Sequence, residues 1–146
     1  MNGKILLIGM AIFLTVFTVA LYLTQIYGFY QKVNDLPSIT VEGREVAVSN
    51  YVGLDANSSG LKLRGCFNTD PAEFDGVALH DAPTPLSTPK WFDCYDPAQI
   101  DADIISGEST AYLVAVNELD GLDRVVVVYP DGRAYQWRQL NDKYQD

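Results

Sequence analysis

Cys66 and Cys94 are the residues of this chain best suited to covalent chemistry. Neither belongs to a Cys-x-x-Cys pair, and both stand beside aromatics, in Arg64-Gly65-Cys66-Phe67 and Trp91-Phe92-Asp93-Cys94-Tyr95. Thiol redox catalysis needs an activated thiolate, and the sequence offers no base near either cysteine. In an oxidising compartment two lone cysteines of one small domain pair with each other. The expectation is a Cys66–Cys94 disulfide, which in the loop-entropy picture restricts the unfolded chain by about 3.6 kcal/mol.

His80 is the one histidine. Without companions it cannot complete a zinc site, and without a Gly-x-Ser-x-Gly elbow it does not suggest a serine triad. There is no Walker loop, no Gly-x-Gly-x-x-Gly and no Cys-x-x-Cys-His for covalent haem. The segment Asn117-Glu118-Leu119-Asp120-Gly121-Leu122-Asp123 has the oxygen density that Ca²⁺ favours, but it lacks the twelve-residue loop with its terminal bidentate Glu. Asp101 and Asp103 are two apart on an expected helix, so they point to different sides and read as solvated rather than as an acid–base pair. These patterns point to a protein that is not an enzyme and holds no cofactor or metal.

The elements that would position these residues begin with an anchor. Residues 5–31 carry no charge, and Lys4 and Lys32 bracket them. From Ile5 to Tyr30 a helix would run about 39 Å, against a hydrocarbon core of about 30 Å. A cleavable signal peptide has an apolar core of only about 7–15 residues followed by small side chains. Here Tyr22, Tyr27, Phe29 and Tyr30 follow, bulky rings that suit a membrane–water interface, where membrane lipid meets solvent. Residues 1–31 therefore read as an uncleaved single-pass signal-anchor. Lys4 and the free amino group place the N-terminus in the cytoplasm, with the domain on the far side.

Residues 32–146 hold nine of the ten Lys and Arg and all nineteen Asp and Glu, a net charge of −10. Such a surface repels nucleic acid and attracts a basic partner. The acids Asp93, Asp96, Asp120 and Asp123 are candidates for docking one.

Residues 32–38 read as a linker, 39–140 as one domain and 141–146 as a fraying tail. Ile39-Thr40-Val41 and Arg44-Glu45-Val46-Ala47-Val48 flank Glu42-Gly43 as a β-hairpin. Residues 51–60 read as loop, and 61–67 as a half-buried strand with Leu61, Leu63 and Gly65 on one face. Residues 68–90, with four prolines, read as a long ordered excursion. Asp96-Pro97 starts a helix that buries Ile100, Ile104 and Ile105 and ends at Gly107. Strands follow at 111–116, 124–129 and 133–140, separated by an acidic loop at 117–123 and by Pro130-Asp131-Gly132. The run Val125 to Tyr129 is apolar enough to be central and covered on both faces. The fold class is α+β: one N-terminal transmembrane helix, then an antiparallel sheet of about five or six strands with one packed helix.

Several motifs carry a family resemblance: Leu63-Arg64-Gly65-Cys66-Phe67, Pro89-Lys90-Trp91-Phe92-Asp93-Cys94-Tyr95-Asp96, and the run from Asp123 through Tyr129-Pro130-Asp131-Gly132 to Trp137. Together with the Met-x-Gly-Lys start and the aromatic cluster of residues 22–30, they resemble small alphaproteobacterial single-span proteins catalogued as a domain of unknown function. Members are sometimes labelled histidine kinases. This chain has no ATP-binding glycine boxes, and 115 residues after the anchor leave no room for a kinase core. Many members continue past the Trp-x-x-Leu-Asn segment with another cysteine and a Pro-rich tail, outside these 146 residues.

The resemblance supports the anchor, the paired cysteines and the bacterial envelope, and supplies no activity. The leading expectation is a non-catalytic accessory or assembly subunit of a larger inner-membrane complex, respiratory or photosynthetic, single-pass with its domain in the periplasm. Its acidic domain would cover periplasmic loops of an integral membrane protein complex, or face a basic carrier such as a c-type cytochrome. The alternative is a free-standing periplasmic sensor or ligand-binding module, with a pocket under residues 68–90 lined by Trp91, Phe92 and Tyr95.

Overall fold

The structure, a computed structural model, describes residues 2–144. It comprises two units, divided between Tyr30 and Gln31.

The first unit is helical. α1 spans Gly3–Leu23, capped by Asn2, whose side chain accepts from Lys4 N–H. A π-helical turn, Thr24–Gly28, continues it, giving 26 residues of high mean hydropathy that bury nothing within the fold. Their polar groups turn inward: Thr15 Oγ1 donates to Ala11 O at 2.9 Å and Thr24 Oγ1 to Ala20 O at 2.6 Å. This helix is long and apolar enough to cross a membrane.

The second unit is α+β. Its strands are β1 (Gln31–Asn34), β2 (Ser38–Val41), β3 (Arg44–Ala47), β4 (Ser49–Asp55), β5 (Arg64–Asn68), β6 (Thr110–Leu119), β7 (Leu122–Val128) and β8 (Arg133–Leu140). Six form an antiparallel sheet ordered β1-β4-β5-β8-β7-β6, and β2–β3 is a separate hairpin. Glu42 and Gly43 turn that hairpin with φ of 49° and 82°, the pair of positive values a two-residue type I′ turn requires. The Glu42 backbone is held there from both ends: its N–H donates to Val114 O, and its carboxylate accepts Ala78 N–H.

The hairpin covers one sheet face. Ile39, Val41 and Val46 pack with Tyr51, Phe67, Val114, Val126, Val128 and Ala134, and Phe74 and Val77 close the cluster. Across the other face run residues 79–96 and α2 (Pro97–Ser106), which bury Tyr95, Ile100, Val125, Val127 and Trp137. Tyr95 meets Tyr135 and Trp137 edge-on, with centroids 6.1 and 6.5 Å apart. β7 is buried along its whole length, because it is central in the sheet and both faces above it are covered. Asp96 caps α2, Pro97 is its first residue, and Gly107 ends it at φ 83°.

Several expectations are corrected. Residues 31–34, expected within anchor and linker, pair with β4 as an edge strand. Residues 51–55 are strand rather than loop; Gly53 and the flanking polar residues hide the strand pattern. β5 starts at Arg64, after a 3-10 turn over Gly60–Lys62, and its first four residues are buried because both faces are covered. The acidic loop at 117–123 is the end of the β6–β7 hairpin, which turns tightly between Leu119 and Leu122. Ile105 is 79% exposed, so the buried face of α2 is Ile100 with Ile104 and, instead of a third isoleucine, Asp103. In the expected tail, Asn141 hydrogen-bonds to Gly121 O and a 3-10 turn covers Asp142–Tyr144; residues 145 and 146 lie outside the described residues.

Candidate functional site

Cys66 on β5 and Cys94, before α2, form the expected disulfide, with Cα atoms 6.4 Å apart. The bond fastens the start of α2 to the sheet. Trp91, Phe92 and Tyr95 surround this join. Phe92 and Tyr95 are buried in the core, and Lys32 Nζ lies 5.5 Å from the Trp91 ring centroid.

A cleft of about 650 Å³ lies elsewhere, where residues 79–86 cross the ends of β7 and β8. Its walls are Leu61, Leu79, Leu86, Leu113 and Leu140; His80, Asp81, Asp123, Gln139 and Asp142 supply polar groups. None of the three aromatics expected to line a pocket lines this one.

The strap over the cleft is pinned by one buried side chain. Gln139 Oε1 accepts from Thr84 N–H at 2.8 Å and from Trp137 Nε1–H at 2.9 Å, and Gln139 Nε2 donates to Ala82 O at 3.1 Å. These bonds hold residues 82–84, and Arg64 Nη2 donates to Ser87 O at 2.8 Å. His80 Nδ1 accepts Ala82 N–H at 3.0 Å, leaving Nε2 3.5 Å from Gln139 Nε2. Short-range periodicity cannot reveal this arrangement, because it joins positions more than fifty residues apart.

Asp123 lines the cleft at 7% exposure. Its Oδ1 accepts from Asn117 N–H at 2.9 Å and from Asn141 Nδ2 at 3.0 Å. Asp123 is thus no surface docking residue, which corrects the expectation. Asp120 is exposed and pairs with Lys143; Asp93 is exposed, and Asp96 spends its carboxylate on the N-cap of α2. Of the four acids, two serve backbone amides: Asp96 those of Ala98 and Gln99, and Asp123 that of Asn117. Tyr22, Tyr27 and Phe29 are exposed, and Tyr30 partly so, at the C-terminal end of the apolar unit. Among the described residues no group of three His, Cys, Asp or Glu could hold a metal ion.

A second polar cluster lies beneath the hairpin, with Tyr51, Arg124 and Gln136 buried and Thr40 and Glu118 at its exposed rim. Arg124 donates through Nε to Glu118, through Nη1 to Gln136 Oε1 at 2.9 Å, and through Nη2 to Thr40 O. Gln136 Nε2 donates to Tyr51 Oη at 2.6 Å. Arg138 Nε reaches Glu118 Oε2 at 2.8 Å. Burial alone would raise the Glu118 pKa, yet bonds and charge from Arg138 and Arg124 hold it below the ordinary value. Burial raises that of Tyr51. Every partner is internal, so this cluster is structural.

Fold and site together define a class: a small α+β domain, stapled by one disulfide and carrying a cleft, preceded by one apolar helix. Residues 34–146 match the profile of DUF6446, a family of unknown function, and the chain belongs to that family. No curated protein and no solved structure matches it.

Proposed function

We propose that this protein is a membrane-tethered, non-catalytic accessory subunit of a larger membrane assembly. The observation that carries this reading is the 26-residue helix, long and apolar enough to cross a membrane, which offers its length to lipid or to another membrane protein. The net charge of −10 on residues 32–146 favours a basic partner. In this reading the assembly is a respiratory or photosynthetic complex of a bacterial inner membrane, and the partner a basic carrier such as a c-type cytochrome. The lysine on the N-terminal side of the helix and the disulfide support a cytoplasmic N-terminus and a periplasmic domain. The test is purification in mild detergent through a C-terminal tag. Stoichiometric co-elution with a membrane complex supports the proposal; a protein that elutes alone overturns it. For steering, carrier turnover at low ionic strength should drop when this subunit is deleted, and equal turnover refutes that part.

A second reading, a membrane-anchored ligand-binding module, is favoured by the cleft. Its volume lies within the range of about 300–1,000 Å³ usual for small-molecule sites.

A further inference from the structure

Resting on the second reading, we propose that the cleft takes a small organic cation: a protonated amine carried on an apolar body. The apolar half of the argument is the wall. Leu61, Leu86 and Leu113 are partly buried, while Leu79 and Leu140 are 62% and 48% exposed at the cleft. Apolar surface of this kind, gathered on a concave wall, gains most from an apolar occupant.

The electrostatic half is the charge of the lining. Asp81, Asp123 and Asp142 line the cleft, and none of the described lining residues is lysine or arginine. Among them Asp123 is the built element. It is more than nine-tenths buried, and Asn117 N–H and Asn141 fix its Oδ1. Among the described residues no hydrogen bond or ion pair to Oδ2 is present. That oxygen is not sealed from solvent, and Asp123 lines the cleft, so a ligand in the cleft can reach it. An ammonium donor from a ligand would satisfy it with a charge-assisted bond. Gln139, the other deeply buried polar residue of the lining, already spends its amide on the strap and on Trp137. Recognition of the charge therefore falls to Asp123, with Asp81 and Asp142 raising the local cation concentration from the exposed edge.

The test is calorimetric titration of the full chain in lipid nanodiscs, with empty discs as the blank, using 4-phenylbutylamine, 4-phenylbutanol and 4-phenylbutyrate. The amine should bind, the alcohol at least about tenfold more weakly, and the carboxylate not at all. Asp123→Asn keeps the Oδ1 acceptor and the shape, and it should lower amine affinity about tenfold without changing that of the alcohol. Leu140→Gln, at an exposed edge position, should weaken amine and alcohol alike. Equal binding of amine and alcohol, or an amine affinity unchanged in Asp123→Asn, overturns the cation assignment while leaving the ligand-module reading standing. No binding of any of the three overturns both.

Discussion

The Tyr51 phenol lies across Gly65, so closely that a Cβ at that position would stand 2.6 Å from Tyr51 Oη. Gly53, which faces Gly65 in the β4–β5 register, is equally crowded: its Cβ would meet Tyr51 Cε1 at 2.5 Å. The two glycines make a trough in the sheet. The ring fills it, stacks 5.7 Å from Phe67, and delivers its hydroxyl to Gln136. Gly65→Ala should therefore overpack this face and lower stability by about 1–3 kcal/mol. Urea denaturation followed by circular dichroism measures it, and an unchanged midpoint refutes the trough.

Arg124 holds Glu118, Gln136 and Thr40 together with its side chain only 5% exposed. Arg124→Ala leaves the buried Gln136 Oε1 without its donor and should reduce stability by about 1–3 kcal/mol. Arg138 shares Glu118 but is more exposed. Its replacement by Ala should reduce stability by no more than about 1 kcal/mol. Equal losses in the two variants would contradict the assignment of Arg124 as the centre of the cluster.

Replacing both cysteines by serine should lower stability by about 3.6 kcal/mol, with strand content retained at low temperature. The thermal midpoint of the double variant, against that of the unreduced protein, reads this out.

Asp103 accepts Tyr129 Oη at 2.5 Å and Gln99 Nε2 at 2.8 Å. The Tyr129 bond first, then that of Gln99, holds its carboxyl below the usual range against the opposing effect of burial. A carboxylate with a depressed folded-state pKa contributes stability above its unfolded value, near about 4, and loses it as pH falls through the folded one. Tyr129→Phe returns Asp103 toward that ordinary value, so its acid-unfolding midpoint should move to higher pH. Carboxyl ¹³C titration of Asp103 should shift in the same sense. Coincident titrations in wild type and variant would show that the bond is absent in solution.

The apolar N-terminal helix, the β2–β3 hairpin, the caps of α2 and the covered strand β7 were legible in the sequence because local signals specify each. A charge-free run, Glu42-Gly43, Asp96-Pro97 with Gly107, and an unbroken row of valines need no distant partner to be read. The burial of Asp123, expected on the surface, and of Asp103, expected on a solvated helix face, escapes the sequence for the same reason in reverse. Their burial follows from Asn117 and Asn141 in one case and Tyr129 in the other, contacts that periodicity does not contain. Strands β1 and β4 were hidden because an edge position and a glycine trough relax the alternation that marks a half-buried strand. The cleft belonged wholly to the tertiary structure. Leu61, Leu79, Leu113, Asp123 and Leu140 come from five separate stretches of chain, and only the crossing of the strap over the sheet, pinned by Gln139, brings them to one wall.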